Sequence, residues 1–353
     1  MVAQESSGPR VILCGVGGVG RRVTRLLSVR PGYRIVAAYT RNRDLAGQDL
    51  GRLAGIEPNG VIVTTDRDAA LRQPADIAIV ATTSFLRAVA PELRAAAEHN
   101  LNAITTAEEA AFPWLTDEVL TDELDRLARE RGVSLLGVGL NPGFIFDALL
   151  LTATGPAWDA RRIRIRRVVD VSRFSATIQR RLGIGFSREK FEAGVQAGTI
   201  FGHIGFPQSF HLAAKCLGRT LEDYRKSFEP VIAERPFSND FLTVQPGQTV
   251  AFIQRDEGII GGEPWIDSEF VAFIDPSAGD FVAQDSISIQ GYNPLNLTIR
   301  PGCQPQLGSA AMVANSIPKV IAAEPGFRTV ADLPPLCPPL THSDGLAEAA
   351  RNW

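Results

Sequence analysis

The sequence predicts an α/β protein, with an N-terminal Rossmann domain built on a parallel sheet and a second α+β domain with a mostly antiparallel sheet. In residues 10–150, short β-branched runs alternate with longer helical patterns, which is typical of βαβ units and of a parallel sheet covered on both faces. The pattern then changes. In Arg161–Val171 (RRIRIRRVVDV), charged and apolar residues alternate, which indicates a sheet with one solvated face.

The elements of the first region follow from local composition. Arg10–Cys14 is a buried strand by its apolar run, and the helix expected at residues 20–29 has its apolar residues on one face. Alanine-rich or apolar-periodic stretches predict further helices at residues 85–100 and 116–132. Further strands are expected at residues 33–40, 60–64, 76–82, 101–105 and 134–139.

The second region is expected to contain strands on either side of a glycine-punctuated, mostly helical stretch at residues 187–234. Its strands are expected at residues 161–171, 248–255, 265–274, 280–291 and 296–300. The small-residue helix at 308–323 is expected to pack back on the first domain. The predicted domains are a dinucleotide-binding domain at 1–150 completed by a return helix around 308–324, a substrate and dimerisation domain at 151–307, and a C-terminal tail at 325–353.

Composition excludes several classes of function. The 353 residues include 36 basic and 39 acidic side chains, a net charge of −3, so there is no basic excess for nucleic-acid phosphates. No apolar run is long enough to span a bilayer. The widely spaced cysteines suit a reducing cytosol, and no metal is expected because the histidines show no ligand spacing. We therefore expect a soluble, cytoplasmic protein without a signal peptide, a metal, or a membrane or nucleic-acid partner. The cysteines are Cys14, Cys216, Cys303 and Cys337, and the histidines are His99, His203, His211 and His342.

A glycine-rich motif (GVGGVG) follows the first predicted strand and opens the first predicted helix. Gly15 would allow the tight turn, Gly17 would let the backbone approach a pyrophosphate, and Gly20 would let the helix pack closely on the strand. The helix N-terminus offers unpaired N–H groups to phosphates. The motif predicts a dinucleotide site contacted by Gly15, Gly17, Gly18, Val19 and Gly20, the alternative being a purely structural turn.

The residues after the second strand predict which dinucleotide is bound. An acidic residue there would accept the 2′-hydroxyl of NAD, but this chain has Thr40, Arg41, Asn42 and Arg43. Because arginine binds phosphate through paired N–H donors, this segment suits the 2′-phosphate of NADP. We expect NADP(H) to be preferred and NAD(H) to be accepted. Alternatively, the two arginines are only solvated surface charges, or Asp44 binds the ribose.

Three segments lie where ligands of such sheets bind. Ala81, Thr82 and Thr83 close one strand, where they can line the nicotinamide ribose or cap the next helix. The segment TTAEEAAFPW (105–114) follows another strand, and GLNPGFIFD (139–147) follows a third. The Asn-Pro-Gly sequence forces a turn at this edge of the sheet. The aromatic residues of these segments supply apolar walls. A carboxylate between such walls would be partly desolvated, which raises its pKa toward the range useful for proton transfer.

Two further observations leave alternatives open. Glu108 and Glu109 can supply that carboxylate or can be an acidic pair at a helix N-terminus. His203 lies in a glycine-rich loop, GHIGFPQS (202–209), where it either faces a ligand cleft or is a structural histidine.

Taken together, the segments at 15–20, 105–114, 139–147 and 202–209 resemble the 2,4-diaminopentanoate dehydrogenase family, and more narrowly its native amine dehydrogenase relatives. The resemblance implies a Rossmann domain that binds NAD(P) and a second domain that closes over the substrate and forms a homodimer. It also implies the reversible oxidative deamination of an amine to a ketone or aldehyde and ammonia.

The resemblance places the family's active-site glutamate on the Glu-Glu pair, and we assign it to Glu108 rather than Glu109. Its role would be to hold ammonia or the amine and to move protons. The matched segments contain no Arg or Lys to hold a carboxylate, which favours small carbonyl compounds and amines. The implied lining of the substrate and nicotinamide pocket is Asn141, Pro142, Gly143, Phe144, Ile145, His203 and Ile204.

Two alternatives to the amine dehydrogenase remain. A diamino-acid dehydrogenase is favoured if Arg173 or Arg181 reaches the pocket and holds a substrate carboxylate. A non-catalytic NADPH-binding sensor is the alternative from a different class, and it would show no turnover.

Overall fold

A computed structural model describes residues 8–338 of the chain. The chain forms two compact units, one of Met1–Ala148 with Gln304–Trp353 and the other of Leu149–Cys303. His342 and the predicted tail beyond residue 338 lie outside the described residues. In the described range, no helix is long and apolar enough to cross a membrane.

The strands and helices of residues 8–338 are numbered in chain order. The strands are β1 (Arg10–Cys14), β2 (Arg34–Tyr39), β3 (Val63–Thr64), β4 (Ile77–Val80), β5 (Asn102–Thr105), β6 (Ser134–Gly137), β7 (Arg162–Asp170), β8 (Asp223–Ile232), β9 (Phe237–Ser238), β10 (Thr243–Val244), β11 (Thr249–Ile260), β12 (Glu263–Phe273), β13 (Gln284–Gln290), β14 (Leu295–Ile299) and β15 (Gly326–Arg328). The helices are α1 (Gly18–Ser28), α2 (Leu50–Ala54), α3 (Arg67–Leu71), α4 (Leu86–Glu98), α5 (Glu118–Arg131), α6 (Leu149–Thr154), α7 (Ala176–Arg181), α8 (Arg188–Gln196), α9 (Phe206–Cys216) and α10 (Pro305–Ile321).

The first unit is built on a parallel sheet in the order β15-β6-β5-β4-β1-β2-β3. The central strands are buried along almost their whole length, as Val11–Cys14 and Ile77–Val80 show, because helices cover both faces. The strand order reverses between β1 and β4. The carboxyl ends of those two strands therefore form the crevice in which ligands of such sheets bind.

The second unit contains a six-stranded sheet in the order β14-β13-β7-β12-β11-β8. The pair β7–β12 is parallel, and the other neighbours are antiparallel. In β7, Ile163 and Ile165 are buried while Arg164 is exposed, so one face of the sheet carries charge. The fold class expected from the sequence is confirmed.

Two elements correct the expectations from the sequence. The stretch at 187–234 is not mostly helical, because its last part is the strand β8, paired with β11. This edge strand is largely exposed and contains Pro230, and edge strands tolerate both features. Both features obscure the alternation of apolar and polar residues by which a strand is predicted. Residues 325–338 are not a simple tail, because β15 pairs with β6. Its Phe327 is buried and packs edge-on against Trp114.

Candidate active site

The glycine motif forms the turn between β1 and α1. Gly15 has a φ of +105°, and a Cβ there would lie 2.4 Å from the Ala81 carbonyl oxygen. A Cβ on Gly20 would lie 2.0 Å from the Gly15 carbonyl oxygen. Both contacts are with backbone and cannot be relieved by a side-chain movement, so these two positions require glycine for the fold itself.

Gly17 has a different environment. It is exposed, and a Cβ there would meet no atom within 4 Å. It precedes the first residue of α1, whose N-terminus has no side-chain cap. The packing of the fold thus gives no reason for glycine at this position. An open backbone at an uncapped helix N-terminus fits a pyrophosphate, which supports the ligand-binding interpretation over a purely structural turn.

The basic segment after β2 offers one available arginine instead of two. The Arg41 guanidinium forms an ion pair with Glu92 of α4, whose side chain is 3% exposed, and this hydrogen bond raises the Arg41 pKa. Arg43 is exposed and is joined to no other residue of 8–338 by an ion pair. Asn42 accepts from the Asp44 N–H at 3.0 Å, and Thr40 is buried and accepts from the Asn42 N–H at 3.2 Å.

A cavity of about 290 Å³ opens at the carboxyl ends of β4, β5 and β6, within the first unit. It brings together Val19, next to the glycine turn, and Glu108. The complete lining is Val19, Ala81, Thr82, Thr83, Ser84, Thr106, Ala107, Glu108, Ala111, Val138, Gly139, Asn141, Pro142 and Ser309.

The two adjacent glutamates have different environments. The Glu109 carboxylate accepts a hydrogen bond of 2.7 Å from the backbone N–H of Leu86, the first residue of α4. Glu109 therefore caps α4, whose own N-cap residue makes no side-chain hydrogen bond to the helix. Glu108 lines the cavity. The interpretation of an acidic residue at a helix N-terminus thus fits Glu109, which caps α4, whereas Glu108 is the glutamate of the pair that lines the cavity.

Buried polar atoms in the cavity wall have no partner in the described chain. They are the Thr82 Oγ1 and both the Oδ1 and Nδ2 of Asn141. Because a buried amide or hydroxyl without a hydrogen bond is costly, these atoms fit the amide and ribose hydroxyls of a nicotinamide riboside. The Thr83 Oγ1 accepts from the Phe85 N–H at 3.4 Å. Because Phe85 precedes the first residue of α4, this bond stabilises the turn before the helix, and the suggested capping of α4 by Thr83 is not observed.

The Asn-Pro-Gly turn is held by local and distant contacts. Gly143 has a φ of +127°, and its N–H donates to Asp147 at 2.6 Å. The N–H of Leu140 donates to the Ser309 Oγ of α10 at 3.3 Å. This places Asn141 and Pro142 in the cavity wall.

The expected pocket residues are only partly gathered there. Ile145 is 0% exposed and belongs to the core, and Phe144 is half-buried outside the lining. Sequence reasoning missed Ser309, which no local pattern marks because it lies on a helix far along the chain. It also missed Thr106, although the motif that contains Thr106 was singled out.

His203 and Ile204 lie in the second unit. The His203 ring stacks on Phe206 at 4.8 Å and meets the edge of Phe270 at 5.6 Å. This packing excludes water and lowers the pKa of His203 to about 4, so the imidazole is neutral at neutral pH. Its Nδ1 lies 2.5 Å from the Ile204 carbonyl oxygen. Among the described residues, no group of histidine, cysteine and carboxylate side chains could hold a metal.

Comparison with known proteins decides the family. A family model for the 2,4-diaminopentanoate dehydrogenase C-terminal domain matches residues 144–343. The 2,4-diaminopentanoate dehydrogenase of Acetoanaerobium sticklandii is 32% identical over 330 residues, which cover 92% of this chain and 93% of that protein. This chain belongs to the 2,4-diaminopentanoate dehydrogenase family.

Other comparisons agree with this membership. A model for the dihydrodipicolinate reductase N-terminus matches residues 9–109. An amine dehydrogenase of Streptomyces virginiae is 24% identical, with 92% of this chain and 95% of that protein covered. The structure of the amine dehydrogenase from Mycobacterium smegmatis superposes with a TM-score of 0.82 and 27% identity, covering 95% of this chain and 98% of that one. This family member is thus an oxidoreductase with a Rossmann-type NAD(P)(H) site, and the resemblance noted in its sequence is confirmed.

Proposed function

We propose that this protein catalyses the reversible reductive amination of small ketones or aldehydes with ammonia. The observation that carries the proposal is the cavity of the first unit. There Glu108, the unpartnered amide of Asn141 and the hydroxyl of Thr82 surround one space next to the glycine turn. Reductive amination needs a group that moves protons close to the nicotinamide, and a carboxylate beside this polar space can take that role. The relatives named amine dehydrogenase support the same reaction.

The residues of the chain would act as follows. The Glu108 carboxylate attracts ammonium, accepts a proton from it and leaves ammonia to add to the carbonyl carbon. Glu108 then returns that proton to the hydroxyl of the carbinolamine. The oxygen leaves as water, and the iminium ion forms. The bound cofactor supplies the hydride that reduces the iminium carbon to the amine. Asn141 and Thr82 would hold the ring amide and ribose of that cofactor.

The chemistry of the cavity wall favours substrates without a carboxylate. None of its lining residues is a lysine or an arginine, so this cavity offers no fixed cation for a carboxylate. The second candidate is a diamino-acid dehydrogenase, which the 32% identity to a 2,4-diaminopentanoate dehydrogenase supports. Turnover of that diamino acid far faster than of simple amines would favour the second candidate.

The proposal is tested by following NADPH absorbance with cyclohexanone at alkaline pH, with and without a large excess of ammonium. We expect oxidation only when ammonium is present. Oxidation without ammonium would indicate a plain carbonyl reductase. NADPH binding without turnover of any ketone, aldehyde or diamino acid would indicate a sensor instead.

We propose that NADP(H) is preferred and that Arg43 binds its 2′-phosphate. In Arg43→Ala, we expect the Kd for NADPH to rise about 10- to 100-fold, because charge-assisted hydrogen bonds are lost, while the Kd for NADH stays near its original value. Titration of each cofactor by fluorescence measures both constants. Equal losses for the two cofactors would contradict the assignment.

Arg41→Ala is the matched control for Arg43→Ala. Because Arg41 is already paired with the buried Glu92, we expect its removal to lower the melting temperature. The ratio of NADPH to NADH affinity should change less than in Arg43→Ala. The opposite pattern would show that Arg41 leaves Glu92 to bind the phosphate.

We also propose a homodimer formed through the sheet of the second unit. The exposed face of this sheet carries charged pairs across its strands, including Arg166–Glu269 at 2.8 Å and Arg162–Asp267 at 2.9 Å. Such a face can meet its own copy with complementary charges. Sedimentation equilibrium that returned a monomer at all concentrations would refute this.

A further inference from the structure

The segment that contains α7 and the start of α8, in the second unit, is strongly basic, although the whole chain has a net charge of −3. Residues 173–190 include four arginines and one lysine but a single acidic side chain. Arg188 is paired with Glu192 at 3.9 Å. Three of the basic side chains form no ion pair in the part of the chain that the structure describes, so their charge is open to an anion. They are Arg180, Arg181 and Lys190.

A cavity of about 430 Å³ in the second unit brings together two of these cations, Arg180 and Lys190. Its volume is within the range of small-molecule sites. No acidic side chain lines it, and the apolar part of its wall is Ile184, Phe186 and Leu242. The cavity therefore combines positive charge with an apolar surface. The complete lining is Arg180, Ile184, Gly185, Phe186, Lys190, Leu242 and Thr243.

The Lys190 ammonium is held at the wall of this cavity. Its Nζ lies 4.0 Å from the centroid of the Phe186 ring, and a ring face attracts a cation without neutralising its charge. Phe186 is itself tied to β11, because its carbonyl oxygen accepts from the Thr249 N–H at 2.7 Å. The neighbouring Gly185 N–H donates to the Thr249 carbonyl oxygen at 2.8 Å. The ammonium thus keeps its donors for an anion and rests on a wall that the sheet fixes.

A second cavity, of about 410 Å³, adjoins the first and shares Arg180 and Phe186 with it. Its further cation is Arg181, whose guanidinium carbon lies 4.7 Å from the centroid of the Phe201 ring. Phe201 does not line this cavity. The ring that holds Arg181 is therefore outside the wall, whereas the ring that holds Lys190 is part of the wall of the first cavity. This difference favours the first cavity as the binding site.

We propose that the cavity lined by Arg180 and Lys190 binds a small organic anion, with its apolar body against Phe186. The head group is a carboxylate or a phosphate, since arginine binds both through paired N–H donors and lysine adds a compact charge. Every residue of this site belongs to the second unit. The proposal is therefore independent of the proposed function, and binding can be measured without turnover.

The binding test is calorimetric titration of the full chain at neutral pH with hexanoate, hexyl phosphate, acetate and hexanamide. We expect hexanoate and hexyl phosphate to bind, and the tighter of the two identifies the head group. Acetate should bind more weakly because it lacks most of the apolar chain. Hexanamide is the matched neutral control and should not bind. Absence of binding by both long-chain anions, or equal binding of hexanamide, would overturn the proposal.

Three variants locate the site. We expect Arg180→Ala and Lys190→Ala each to raise the Kd of the tighter anion about tenfold, equivalent to about 1.4 kcal/mol. Arg181→Ala removes the same charge one residue from Arg180 and should raise this Kd much less. All three side chains are exposed, so the melting temperatures should stay near that of the wild type. An equal loss in Arg181→Ala, or an unchanged Kd in Arg180→Ala and Lys190→Ala, would contradict the assignment to this cavity.

Discussion

Replacing Glu108 with glutamine is expected to lower the kcat for reductive amination by about 10²- to 10⁴-fold, the usual contribution of a general acid–base group. Glutamine keeps the size of the side chain and removes the carboxylate that would hold ammonium and move its proton. The Kd for NADPH should change little. Steady-state kinetics with saturating cofactor and a direct binding titration separate the two quantities.

Glu109→Gln is the matched control, since it makes the same chemical change one residue away. Glutamine still accepts the hydrogen bond from the Leu86 N–H, but the negative charge at the N-terminus of α4 is lost. We expect near wild-type activity and a free energy of unfolding lower by about 0.3–1 kcal/mol. Loss of activity in Glu109→Gln with activity kept in Glu108→Gln would reverse the assignment.

The second large effect is expected at the glycine turn. Gly17→Ala places a methyl group where the protein itself has nothing within 4 Å, so the melting temperature should not fall. If the pyrophosphate lies against this backbone, the Kd values for NADPH and NADH should both rise tenfold or more, about 1.4 kcal/mol. Calorimetric titration of each cofactor checks this.

Gly20→Ala provides the contrast for Gly17→Ala. Its methyl group would collide with the Gly15 carbonyl oxygen, and such overpacking destabilises a fold by about 1–3 kcal/mol. We expect a lower melting temperature before any specific effect on cofactor binding. If Gly17→Ala bound both cofactors as tightly as the wild type, the pyrophosphate would have to lie elsewhere.

The Rossmann unit could be predicted from sequence because its signals are local. A buried strand, a glycine turn and an amphipathic helix follow one another within β1 and α1. The strand β8 lacked such a signal, since an exposed edge strand need not alternate. The three-residue strand β15 is too short to show a pattern, and it is held by contacts with distant residues such as Trp114.

The sequence predicts which residue types make up the candidate site, but it does not predict which way each side chain points. Nothing local distinguishes Glu108 from Glu109, because the distinction comes from the Leu86 N–H, 23 residues earlier in the chain. The pairing of Arg41 with Glu92 spans 51 residues and was equally hidden. Such contacts between distant residues are set by tertiary packing, so periodicity and spacing do not reveal them.

One isotope experiment tests the central claim most directly. The wild-type protein is supplied with cyclohexanone, isotopically labelled ammonium and NADPH deuterated at the transferred position, and the product is analysed by mass spectrometry. We expect cyclohexylamine that carries both the labelled nitrogen and the deuterium in the same molecule, and much less of it with Glu108→Gln. Deuterated cyclohexanol without labelled amine would contradict reductive amination.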